Sequence, residues 1–201
     1  MHGRTRFDTP VDISKRTFPS GASTVVVASG ERFPDALSGS PLASLKKAPM
    51  LLVKKDSLPS SVVTELRRLN PKNIIVLGGP IAISNSTISK LKAHGEVTRI
   101  WGDNLYDTSA MIAQDWSGAS SVFLATGQRF EDAMSLAAVA AGKNSPMLLT
   151  RKDSLPASTI RELKRLKPTR VYMAGGPIAI SSAVERQLHQ TVPNATVVRF
   201  E

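Results

Sequence analysis

Two clusters of charge each follow directly on an apolar run, and both occur twice. Arg32 and Asp35 come just after Ser29-Gly30, and Lys54-Lys55 just after Met50-Leu51-Leu52; 97 residues later stand Arg129 and Asp132 after Thr126-Gly127, and Arg151-Lys152 after Met147-Leu148-Leu149. Guanidinium and ammonium groups beside the free N–H groups of a starting helix suit phosphate or carboxylate groups on a ligand. The same residues have plainer readings. Paired lysines commonly form a solvated turn. An aspartate in a first helical turn is favoured by the helix dipole alone. An Arg32 to Asp35 pairing that fixes the loop is a third account, and the pattern leaves all three open.

Other chemistries find little support. There is no Cys, so thiolate chemistry and disulfides are absent. His2, His94 and His189 lie in a tail and at expected helix ends, without the H-E-x-x-H spacing of a zinc site. No G-x-S-x-G surrounds a serine. Neither G-x-G-x-x-G nor the P-loop pattern occurs, although Gly78-Gly79-Pro80 has the form of a turn that cradles an anion. The expectation is a binding protein with no catalytic residue, metal or cofactor. A nucleotide-binding, Rossmann-like enzyme domain is the alternative.

The elements that must carry these clusters are written in a repeat. Residues 25–92 and 122–189 align without a gap and are about half identical. In each copy a short helix (5–18, or 105–116) leads into an apolar strand (24–28, or 121–125) and a helix opening near Phe33 or Phe130. Pro34 suits a first turn, while Pro41 is a candidate kink. A second strand (49–53, or 146–150) ends in the basic loop, where Ser57 or Ser154 is a candidate cap for the next helix. A third strand (73–77, or 170–174) runs into Gly-Gly-Pro. A last helix (84–94, or 181–190) and a fourth strand (97–100, or 196–200) close the unit. Helical crossovers between strands require parallel pairing, so each copy is expected to be an α/β, Rossmann-like three-layer module around a small parallel sheet. The boundary falls between 1–100 and 101–201.

The net charge of +10 is uneven, +8 over 1–100 and +2 over 101–201. It favours polyanions generally. Aromatic residues make up only 5% and none is interleaved with the basic clusters, so no specific nucleic-acid binding is expected. No apolar run reaches the 18 residues or so of a membrane span, and the opening MHGRTRFD lacks the apolar core of a leader.

The ordered motifs Ala28-Ser29-Gly30 to Phe33-Pro34-Asp35-Ala36-Leu37, Pro49-Met50-Leu51-Leu52, Asp56-Ser57-Leu58-Pro59 and Leu77-Gly78-Gly79 recur in the second copy. Together they resemble the cell-wall-binding repeat type 2 family, over practically the whole chain. The resemblance implies a Rossmann-like fold and an extracellular, wall-associated protein that attaches noncovalently to an anionic secondary wall polymer. It further implies that Met50, Leu51, Leu52, Met147, Leu148 and Leu149 serve polymer binding or module packing. The family's usual triplet is Ile-Leu-Leu, so Met here is a mild departure. The family commonly closes three modules into a triangle, whereas this chain has two. Either a third module or a homo-oligomer of this chain would complete the set.

Overall fold

A computed structural model describes residues 5–128 and 130–200, with backbone alone over 130–132. The first module runs α1 (Asp8–Thr17), β1 (Thr24–Ser29), α2 (Pro34–Leu45), β2 (Met50–Val53), α3 (Ser60–Leu69), β3 (Asn73–Leu77), α4 (Asn85–Leu91) and β4 (Glu96–Ile100). The second repeats it as α5 (Leu105–Ala113), β5 (Ser121–Thr126), α6 (Phe130–Gly142), β6 (Met147–Thr150), α7 (Ala157–Leu166), β7 (Arg170–Ala174), α8 (Ser182–Thr191) and β8 (Thr196–Phe200). Each sheet is fully parallel, with the order β2-β1-β3-β4 or β6-β5-β7-β8. The fold is therefore α/β, two tandem Rossmann-like three-layer modules as the repeat requires.

The central strands are apolar on both faces because helices cover both. Val25, Val26 and Val27 are fully buried, and so are Val122, Phe123 and Leu124. Pro41 does not end α2, which is continuous through Leu45. Two expected caps are corrected. Helices α3 and α7 begin after Pro59 and Pro156, whose extended backbone leads into the first turn, and neither Ser57 nor Ser154 caps them. The first helix starts at Asp8 itself, without a side-chain cap, while its counterpart is capped by Asn104, whose Oδ1 accepts from the N–H groups of Tyr106 and Asp107.

A pair of charged tethers ties α3 to the end of α1 and α7 to the end of α5. Buried Glu65 accepts from Arg68 and from the Ser14 hydroxyl (2.6 Å), and Arg68 also donates to the Phe18 carbonyl. Glu162 and Arg165 repeat the pair, with Arg165 donating to the carbonyls of Ala113 and Trp116. Burial alone would raise the Glu65 pKa; hydrogen bonds from Arg68 and Ser14, with the charges of Arg68 and Lys15, outweigh it and hold the carboxyl below its usual range.

One apolar cluster crosses from module to module. Leu42, Ala43 and Leu77 of the first share it with Ile112, Trp116 and Leu124 of the second. Helix α2 lies against α5, α6 and β6, and Leu37 packs onto the cluster that holds Met147 and Leu149. Ser44 donates to the Ala141 carbonyl, and Lys46 pairs with Asp115 at the margin.

Candidate functional site

Parallel sheets present their loops for ligands at the carboxyl ends of the strands. In the first module β1 and β2 end side by side, with Ser29 in register with Val53. Arg32, Lys54 and Lys55 thus rise from one edge, and all three are exposed. The turn after β1 is built by Ser29, which is buried; its Oγ accepts from the N–H groups of Glu31 (3.1 Å) and Arg32 (3.2 Å). Gly30 N–H donates to the Val53 carbonyl, and Phe7 lies so close that a β-carbon on Gly30 would come within 2.4 Å of its ring. Glu31 accepts from the Lys55 N–H (2.9 Å), locking the two loops together. The Lys55 carbonyl accepts from Thr87 Oγ1 and Ser84 N–H, so its backbone is held while its ammonium stays outside.

The second module repeats the edge. Thr126 is in register with Thr150, and its buried hydroxyl accepts from the Gln128 N–H. Gly127 abuts Leu105 and Tyr106 as Gly30 abuts Phe7. Arg151 and Lys152 are exposed. Arg129 and the Asp132 side chain lie outside the described residues, as does His2.

The aromatic partners of these cations were missed by reading basic clusters locally. Lys54 Nζ stands 5.8 Å from the centre of the Phe7 ring, and the Arg151 guanidinium stands 5.1 Å from that of Tyr106. Both are within cation–π range. The signal was present, since Phe7-Asp8-Thr9 recurs as Tyr106-Asp107-Thr108. Arg99 and Arg199 were also missed: they brace the Gly-Gly turns by donating to the carbonyls of Gly78 (2.8 Å) and Gly175 (2.7 Å).

On the other side of β1 the edge opens into a cleft of about 460 Å³ lined by Arg32, Asp35, Gly79, Ile81 and Trp101, among others. The Asp35 carboxylate lies against Gly78, which has φ +102° and would place any β-carbon 2.5 Å from Asp35 Oδ2. No donor among the described residues bonds that carboxylate. Burial raises its pKa, and the charge of Arg32 offsets only part of the rise. A carboxylate at this turn also disfavours a phosphate cradle on Gly78-Gly79.

The apolar triplets occupy unequal places. Met147, Leu148 and Leu149 are all buried, whereas Met50 and Leu52 are partly exposed in a groove with Ile13, Pro10 and Phe18. Leu51 is buried in the first module's core. Among the described residues no helix is long and apolar enough to cross a membrane.

Two parallel-sheet modules in tandem, each with a paired cationic edge, define a repeat-built binding protein. The model of the cell wall binding domain 2 (CWB2) matches residues 1–88 and 99–185, and the chain belongs to that family. It is 35% identical over 187 residues to the N-acetylmuramoyl-L-alanine amidase LytC of Bacillus subtilis (92% of this chain, 38% of that protein). It is 33% identical over 204 residues to the amidase enhancer of the same organism (99% and 28%). Among solved structures it superposes on Cwp6 from Clostridium difficile with TM-score 0.92 at 34% identity, covering 98% of this chain and 32% of that one. Cwp8 from the same organism gives 0.89 at 33%, covering 98% and 34%. The chain spans between about a quarter and two fifths of these relatives. It is a cell-wall-binding, extracellular, wall-associated protein.

Proposed function

We propose that the two modules attach an exported protein to the wall by gripping an anionic secondary wall polymer, and that the chain is itself non-catalytic. The observation that carries this is the repeated edge: Lys54-Lys55 and Arg151-Lys152 hang from the carboxyl ends of β2 and β6, with backbones pinned and charges exposed. Phosphate or carboxylate groups spaced along a chain match such an array, with Arg32 adding to it on the first module. Ser29, Gly30, Thr126 and Gly127 shape the turns rather than offer side chains, and Arg129 would complete the second edge. Two modules on one polymer act with avidity, and their contacts weaken with salt. We place the module boundary between residues 100 and 101.

We further propose that a module of the same kind, from a second copy of the chain or a further repeat, covers the two faces left open. These are the groove of Ile13, Met50 and Leu52 on the first module and the α6 face of Met134 and Val139 on the second. Their counterparts already meet inside this chain.

The test is retention on purified bacterial walls before and after extraction of their noncovalent polymers. Retention on intact walls that disappears on bare peptidoglycan is expected; equal retention on both contradicts the polymer as ligand.

A further inference from the structure

The cleft beside the cationic edge has a different chemistry from the edge itself. Lys54 and Lys55 stand at the β2 side of β1, while the cleft lies toward β3 and β4, where Glu31, Asp35 and Asp103 outnumber Arg32 among the lining residues. Its floor is the Gly78-Gly79 turn. On one flank Asp35 Oδ2 touches Gly78; on the other the Trp101 indole lies so close to Gly79 that a β-carbon there would come within 2.8 Å of Cε3. Trp101 is nevertheless 43% exposed, whereas Trp116 is 5% exposed with its Nε1–H donated to the Asn144 carbonyl.

A half-buried carboxylate with no donor among the described residues calls for a partner that brings hydrogen-bond donors without a negative charge. A flat apolar ring beside it calls for a partner that also has an apolar face. Water supplies the first and not the second. A hexose supplies both, with hydroxyl donors around its rim and C–H groups across one face. An anionic group is poorly received, because three carboxylates, of Glu31, Asp35 and Asp103, line the cleft against one guanidinium.

We infer that this cleft is a subsite for a neutral sugar residue, stacked on Trp101 and hydrogen-bonded to Asp35, so that sugar and charge are recognised on different sides of β1. This rests on the wall-polymer reading above and deepens it. Arg32, at the boundary between the two, is placed to serve both, donating either to a sugar hydroxyl or to the neighbouring anionic group. The raised pKa of Asp35 is the expected mark of an acceptor whose donors arrive with the ligand.

Two-dimensional ¹⁵N–¹H spectra of the whole chain resolve this, because its two tryptophans give two indole signals. Glucose, galactose, mannose and N-acetylglucosamine are titrated separately at millimolar concentrations. A saturable shift of the Trp101 indole with at least one of them, while that of Trp116 stays fixed, is expected, and Asp35→Ala, which removes the acceptor, should abolish it. No movement with any of the four overturns the subsite. Trp101→Ala, with its fold checked by the Trp116 signal, should cut retention on intact walls about tenfold, the loss of one well-packed aromatic contact. Undiminished retention of that variant overturns the subsite and leaves wall attachment standing. Failure of the wild-type chain to be retained removes the wall-polymer reading, while a Trp101 shift would still support a sugar site.

Discussion

Leu42 and Val139 occupy the same position of the repeat, yet the first is fully buried and the second is 46% exposed. Ile112 and Ile13 reverse the pattern, at 1% and 50%. The difference is not in the local sequence, which is apolar at all four. Helix α2 of the first module covers the α5 and β6 face of the second, while among the described residues the matching faces left over keep Ile13, Met134 and Val139 exposed. The contact is therefore head-to-tail, using two different patches, one of each on every module. Such a contact always leaves one patch of each kind free, and the free ones here are complementary because their twins already fit.

Substitutions at twinned positions separate the covered from the open side. Leu42→Ala should cost about 3 kcal/mol of stability through lost burial and the cavity left behind. Its twin Val139→Ala should cost no more than about 0.5 kcal/mol. Urea unfolding of both variants checks the contrast, and equal losses would contradict the assigned interface. Ile112→Ala and Ile13→Ala should split the same way, with about 2 kcal/mol or more on the covered isoleucine. Sedimentation over a range of concentrations tests the free faces: the wild type should grow heavier with concentration, and Met134→Glu with Val139→Glu should stay monomeric. A wild type that is monomeric throughout contradicts association between copies.

Smaller effects sharpen the comparison of two acids, the half-buried Asp35 and the buried Glu65. Asp35 has a raised folded pKa, so its ionised form weighs against the fold, and stability rises as pH falls through that pKa. Asp35→Asn should raise the melting temperature at neutral pH, with the gain shrinking in acid. Glu65 has a lowered folded pKa, so its contribution is present above its unfolded pKa and is lost as pH falls through the folded one. Glu65→Gln should therefore destabilise at neutral pH and converge on the wild type in acid. Thermal melts across the acid range read both signs. Lys46→Ala should likewise have a small effect, under about 1 kcal/mol, since its pair with Asp115 is partly exposed.

The repeat made most of the fold legible. Apolar strands bounded by glycine, helices opened by proline, and crossovers long enough to require parallel pairing all follow from residue type and spacing. The caps at Ser57 and Ser154 were misplaced because a serine followed by Leu-Pro looks like a helix start, whereas the proline's extended backbone delays the helix past it. The cationic residues of the candidate site were readable from their place after each strand. The Lys54 to Phe7 and Arg151 to Tyr106 contacts were not, since each joins residues more than forty positions apart. Nor was the unequal burial of Met50 and Met147, because identical segments carry no sign of which one meets a neighbouring module.

The central claim is that exposed cations at matching strand ends hold the polymer. It is tested most directly by retention on intact walls of a variant with Lys54, Lys55, Arg151 and Lys152 all changed to alanine, measured at rising salt beside the wild type. At about 0.5 kcal/mol for each exposed cation, retention should fall about thirtyfold at low salt, and its salt dependence should flatten. Unchanged retention with an unchanged salt profile would contradict the account.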